Sequence, residues 1–135
     1  MNQGGDIDNQ NGAGGYAAKW FGYCNGESRS SSSACEQSQW TIPDEADNGL
    51  KHGPGKIAMA KTQAENTGGS QFYIVPTGST PSHLDGVHTV FGEVTSGMPH
   101  VDAINKVETG NNDNDSSTSG DKPIDDVVLM SVSVN

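Results

Sequence analysis

Beyond Asp44-Glu45 the chain settles into short apolar runs separated by turn residues. The runs at 57–59, 72–75, 89–94 and 127–134 are too short for a helical stripe and carry β-branched and aromatic residues, so they predict strands. In the last run Val128, Met130, Val132 and Val134 share one face, while Val127, Leu129, Ser131 and Ser133 share the other. That alternation suits a sheet with one wet side, and the run is expected to be the closing strand. One segment has a helical period instead. Met98, Val101, Ile104 and Val107 build one apolar face with Pro99 in the first turn, which predicts a helix from 98 to about 107 lying over the sheet.

Composition narrows this to a mainly β reading. The 135 residues fit a single domain spanning 1–135, but only 31% are hydrophobic and 18 are Gly, so the core is small and much of the chain is turn. Seventeen acidic residues against seven basic ones give a formal charge of −10 and a pI near 4.5. Such a surface repels phosphate backbones and anionic lipid, which argues against nucleic acid as a partner. It suits a high-salt environment, and equally an ordinary acidic protein. No apolar run approaches the roughly 20 residues of a membrane span, so a soluble chain is expected, with its compartment open.

Two segments interrupt the strand pattern. Residues 20–40 form a Ser-rich stretch flanked by aromatic residues and read as an inserted loop. It holds the chain's only cysteines, Cys24 and Cys35. A disulfide tying the loop is the first reading, with half of a zinc site or two free thiols as alternatives. Residues 110–121 are polar and rich in oxygen ligands. Ser116 stands where an EF-hand needs Gly and Lys122 where it needs Glu, so the segment reads as a solvated loop.

The chemistry concentrates elsewhere. Met1-Asn2-Gln3-Gly4-Gly5-Asp6, then Asn66-Thr67-Gly68-Gly69-Ser70-Gln71-Phe72-Tyr73-Ile74, then Leu84-Asp85-Gly86-Val87-His88-Thr89-Val90-Phe91-Gly92 occur in that order. Singly, each reads as an ordinary strand or turn. Together they resemble the substrate groove of cyclophilins. The resemblance covers roughly residues 1–18 and 44–109, and more weakly the last run. It implies an antiparallel β-barrel with one or two helices and peptidyl-prolyl cis-trans isomerase activity without metal or organic cofactor. The implied partners are X-Pro segments of peptides or unfolded proteins.

Rotating an X-Pro amide crosses a barrier of about 20 kcal/mol and needs no nucleophile. It needs an apolar pocket for the ring, polar groups that fix neighbouring carbonyls, and a donor that weakens amide resonance. By the resemblance, Met1, Leu84 and Tyr73 line the proline pocket, Tyr73 standing where the family usually has Phe. The added hydroxyl is expected to make that pocket more polar. Gln3 and His88 are the implied catalytic residues. Gln71 holds the substrate backbone with Gln3, Ala60 and Lys61 form an extended edge, and Gly12 belongs to a glycine-rich wall.

Departures from the family pattern qualify the activity. Lys61 replaces a usual Asn. His83 stands where many members carry the Trp associated with cyclosporin binding, which argues against drug binding. In the family a catalytic Arg precedes the Met-x-Gln-Gly-Gly-Asp motif, whereas the one Arg here is Arg29, inside the Ser-rich loop. The fold is therefore expected to be N-terminally incomplete, with Met1 an internal Met and the true start upstream. Reduced activity is expected, and a non-catalytic proline-peptide binding module is the alternative. A Ser70, His88 and Asp85 hydrolase lacks the Gly-x-Ser-x-Gly elbow. The run Gly12-Ala13-Gly14-Gly15-Tyr16-Ala17 lacks the βαβ unit of a dinucleotide site.

Overall fold

A computed structural model describes residues 1–110 and 120–134. The strands are β1 (Asn2–Gly4), β2 (Tyr23–Cys24), β3 (Glu27–Ser28), β4 (Trp40–Thr41), β5 (Lys56–Met59), β6 (Phe72–Ile74) and β7 (Val90–Glu93), followed by one helix, α1 (Met98–Ile104). All named pairings are antiparallel. A four-stranded sheet runs in the order β1-β6-β5-β7, and a three-stranded sheet in the order β3-β2-β4.

The larger sheet follows from the apolar runs. Residues directly opposite across antiparallel strands share a face. The register sets Gln3 against Tyr73, Tyr73 against Ala58, and Ala58 against Val90, so one rung leads from an exposed glutamine into the core. Ala58, Tyr73, Val75 and Val90 are at most 2% exposed, with Ala60 and Leu84 packed against them. This small core agrees with the low hydrophobic content. The β5–β7 register shifts at Ile57/Ala58, a bulge that twists the edge strand away from ideal pairing.

Helix α1 is shorter than its periodicity predicts. It ends at Ile104, and the amides of Lys106 and Val107 bond three residues back to Ala103 and Ile104, a tightened last turn that takes Val107 off the helical stripe. Val101 is the residue it buries, while Ile104 and Val107 stay 39% and 36% exposed. Asn2 Nδ2 donates to Val101 O at 2.6 Å and ties the helix to β1.

The expected closing strand is not formed. Among the described residues nothing pairs with 127–134, and Val128, Met130, Val132 and Val134 are 66–94% exposed. Alternation favours a strand only where an edge accepts its backbone, and the sheet's pairings end at β1 and β7 without it. Residues 20–40 are more ordered than an inserted loop. They contribute β2, β3 and Trp40 of β4, two 3-10 turns, and a Cys24–Cys35 disulfide. Most of the 110–121 loop lies outside the described residues. No described helix is long and apolar enough to cross a membrane.

Candidate functional site

A groove of about 1080 Å³ lies along the larger sheet. Strand β1 and the turn after it bring Met1, Gln3 and Gly12 to it. The end of β5 brings Ala60 and Lys61, and β6 with its preceding residue brings Tyr73 and Gln71. A 3-10 turn at Ser82–Leu84 and the turn following it bring Leu84 and His88. Every groove residue drawn from the sequence thus lies on one surface.

The floor is Tyr73. Its ring lies between His88, edge-on at 5.9 Å, and His52, stacked at 5.9 Å. The hydroxyl does not make the pocket more polar, because it is taken up by His52 Nε2 at 2.7 Å on the buried side. His52, whose side chain is fully buried, bonds Asp85 through Nδ1 at 2.8 Å, and its backbone N–H donates to the same carboxylate oxygen at 2.8 Å. With Nδ1–H donated to Asp85, Nε2 accepts the phenol proton, and the chain Tyr73–His52–Asp85 is satisfied throughout. Burial first, and then the Asp85 charge, push the Tyr73 hydroxyl up to about 12. The backbone N–H of His52 first, and then its ring, hold Asp85 below the usual carboxylate range. Asp85 follows Leu84 directly, so this chain also fixes the pocket wall.

Polar groups line the other side. Gln3 Nε2 donates to Gln71 Oε1 at 2.7 Å, and Gln71 Nε2 donates to the carbonyls of Gly12 at 3.0 Å and Gly14 at 2.5 Å. Strand, glutamine pair and glycine-rich wall are therefore one network. The wall is shaped by Asp6, whose carboxylate accepts the N–H groups of Asp8, Asn9, Asn11, Gly12 and Gly14 at 2.9–3.2 Å. Burial pushes this carboxyl up, but the N–H groups of Asn9, Gly14, Asn11 and Asp8 together outweigh it and hold Asp6 well below the usual range. Gly69 is needed where the wall meets β6, since a Cβ there would stand 2.8 Å from Gly15 O.

His88 Nδ1 lies 3.1 Å from Met59 O, the geometry of a donated N–H, which leaves Nε2 as the ring's other polar atom. Lys61 lines the groove with its charge paired. Its side chain is 3% exposed, and its ammonium lies 3.1 Å from Asp44 Oδ2 and donates to Ala64 O. Asp44 and Asn66 exchange reciprocal backbone-to-side-chain bonds, which fixes the turn before the Gly68-Gly69 pair. Arg29 pairs with Glu27 and lies outside the groove, as does the exposed His83. Ser70 Oγ donates to Gly5 O and Asp85 serves His52, so Ser70, His88 and Asp85 form no relay.

Sequence reasoning missed His52, Asp6 and Asp44, which touch the groove residues from behind. One signal was available for His52: a tyrosine at an apolar floor demands a partner for its hydroxyl.

Comparison with known proteins gives a consistent result. The family model described as cyclophilin type peptidyl-prolyl cis-trans isomerase/CLD matches residues 1–134. The chain is 42% identical over 93 residues to peptidyl-prolyl cis-trans isomerase cypE of Dictyostelium discoideum, covering 68% of this chain and 52% of that protein. It is 38% identical over 100 residues to peptidyl-prolyl cis-trans isomerase B of Escherichia coli, covering 70% and 58%. A third relative, peptidyl-prolyl cis-trans isomerase-like 1 of Gibberella zeae, is 41% identical over 92 residues, covering 67% and 50%. The chain spans about half the length of these relatives.

Proposed function

Because the chain belongs to the cyclophilin-type peptidyl-prolyl cis-trans isomerase family, we propose that its groove binds X-Pro segments of flexible or unfolded chains and isomerises the prolyl bond. The observation that carries this reading is the convergence of the implied residues on one groove. Met1, Leu84 and Tyr73 receive the proline ring. Gln71 holds the substrate backbone beside the extended edge at Ala60 and Lys61, with Gly12 in the facing wall. Gln3 and His88 supply polar contact to the rotating amide. A cyclophilin-like antiparallel β-barrel is part of the same proposal, and the four-stranded antiparallel sheet supports it. Cyclosporin is not a proposed ligand, given His83 at the position where the resemblance expects Trp.

No covalent step is involved. The ring is held in an apolar pocket while the preceding carbonyl turns, and each donor that binds the twisted amide better than the planar one lowers the barrier. Arg29 supplies no such donor, being paired with Glu27 away from the groove. A positioned donor of this kind is worth on the order of a hundredfold in rate, so removal of Gln3 or His88 is expected to slow exchange markedly. NMR exchange between the cis and trans forms of an Ala-Pro peptide, with catalytic amounts of the chain, tests this. Accelerated exchange that falls in Gln3→Ala and His88→Ala supports the proposal. Peptide shifts without acceleration would leave a binding module in its place.

A further inference from the structure

The groove has a second wall built by the Ser-rich segment. Asn25, Ser38, Trp40 and Thr41 line the same continuous groove as Tyr73 and His88. Thr62, Ala64 and Thr67 of the turn after β5 line it too. That turn and the wall are in close contact. A Cβ at Gly26, which has φ +83°, would stand 2.7 Å from Glu65 O and 2.8 Å from Thr67 Cγ2. The amide of Ile42, next to the wall, donates to Gly68 O at 2.8 Å.

Trp40 is the centre of this wall and is held from several sides. Its ring meets Trp20 edge-on at 5.7 Å, and its Nε1 donates to Cys35 O at 3.1 Å. In the small sheet it pairs with Cys24, and its own carbonyl accepts the N–H of Ala17, which is 1% exposed. Both cysteines of the disulfide therefore hold Trp40 directly, one through the sheet and one through the indole bond. The side chain nonetheless remains only half-buried. Bracing and partial exposure together suit a fixed contact surface, since an indole held in one orientation loses little entropy on binding.

We infer that the disulfide-braced segment is a specificity wall of the groove, with Trp40 receiving an apolar side chain that flanks the X-Pro bond of the bound peptide. The inference rests on the groove being the peptide site. The occupant follows from continuity with the proline pocket, since a chain lying on Tyr73 runs on into the same groove. Its chemistry follows from the lining around Trp40: Asn25, Ser38, Thr41, Thr62, Ala64 and Thr67 carry no charge, the ammonium of nearby Lys61 is occupied by Asp44, and the carboxylate of Asp8 elsewhere in the groove accepts the N–H of Gly15. An acidic flanking residue would lose water there without finding a free cation.

The test uses the full chain and NMR titration with a bare Ala-Pro peptide and with versions flanked by Phe or by Glu. The Phe-flanked peptide is expected to bind about tenfold more tightly than the Glu-flanked one, a modest hydrophobic discrimination. Trp40→Ala is expected to abolish that preference while lowering affinity for the bare peptide less, and Trp40→Phe to retain most of it. A dithiol reductant, oxidised to its cyclic disulfide as Cys24 and Cys35 each gain an electron and a proton, is expected to shrink the preference. Equal losses for all peptides in Trp40→Ala, or a preference indifferent to Trp40, overturns the wall. A preference unchanged by reduction overturns the brace. If the bare peptide fails to bind the unmodified chain, the peptide-site reading itself fails and this inference with it.

Discussion

At the residue scale, one substitution in the family pattern required a compensation elsewhere. Tyr73 fills the apolar floor only because His52 takes its hydroxyl, and His52 in turn answers Asp85. His52→Leu orphans the Tyr73 hydroxyl and leaves Asp85 with the backbone N–H of residue 52 alone, and is expected to cost about 1–3 kcal/mol. In a Tyr73→Phe background the same change should cost less, because one orphan is gone. Denaturant unfolding of the two single variants and the double variant measures this coupling, and purely additive costs would refute it. Raising the hydroxyl to about 12 from 10.0 also fixes an alkaline limit: this contribution to stability is complete below pH 10 and is lost as pH rises through about 12. Asp6 sets the opposite limit. Its folded pKa lies below the ordinary 3.8, so its contribution is complete above that pH and fades as pH falls toward the folded value. Amide signals of Gly12 and Gly14 are expected to hold unchanged through about pH 4 and to shift only well below it, and Asp6→Asn should loosen the wall already at neutral pH. Unchanged signals in Asp6→Asn would deny the carboxylate that role.

At the scale of elements, legibility followed the range of the determining contacts. Strands β5, β6 and β7 were readable because their apolar residues meet a local core, and α1 because its stripe and Pro99 are local signals. Strand β1 carried no apolar alternation. Its place is set by pairing with β6 far along the chain, which only the family motif pointed to. The run 127–134 had the alternation and lacked a paired edge, so pattern alone misled. The groove residues were legible as motifs, whereas His52 and Asp6 act through long-range or backbone bonds that no spacing announces. The Ser-rich segment lies between these cases. Its short strands depend on a cross-link between residues 11 apart. Replacing both cysteines by Ser is expected to cost about 2–3 kcal/mol for closing a loop of this length. The loss should be local: exchange of the Asn25, Arg29 and Cys35 amides, all bonded within the segment, should quicken, while the Met59 and Val75 amides in the larger sheet stay protected. Uniform quickening would show that the segment supports the whole fold.

At the scale of the molecule, a net charge of −10 and an uncharged apolar run at 127–134 act against each other. The run exposes Val128, Leu129, Met130, Val132 and Val134, and it retains the alternation of a strand. Among the described residues, the order β1-β6-β5-β7 pairs β1 and β7 on one side only. Strand-prone segments and open edges on different copies of a chain are complementary, which favours edge-to-edge pairing between molecules. Repulsion between like-charged molecules opposes that encounter, but its range shrinks from about 10 Å at 0.1 M salt to about 3 Å at 1 M. Self-association is therefore expected to rise with salt, through the apolar run and not through charge pairing, which salt would weaken. Sedimentation velocity at low and high salt measures it directly. Val128→Glu with Val132→Glu places charges on one face of the run and should suppress most of the salt-induced association, leaving the core, which holds neither residue, with its thermal midpoint intact. Association that falls with salt would show that ion pairs and not the run join the molecules, and association unchanged in the double variant would move the contact elsewhere on the surface.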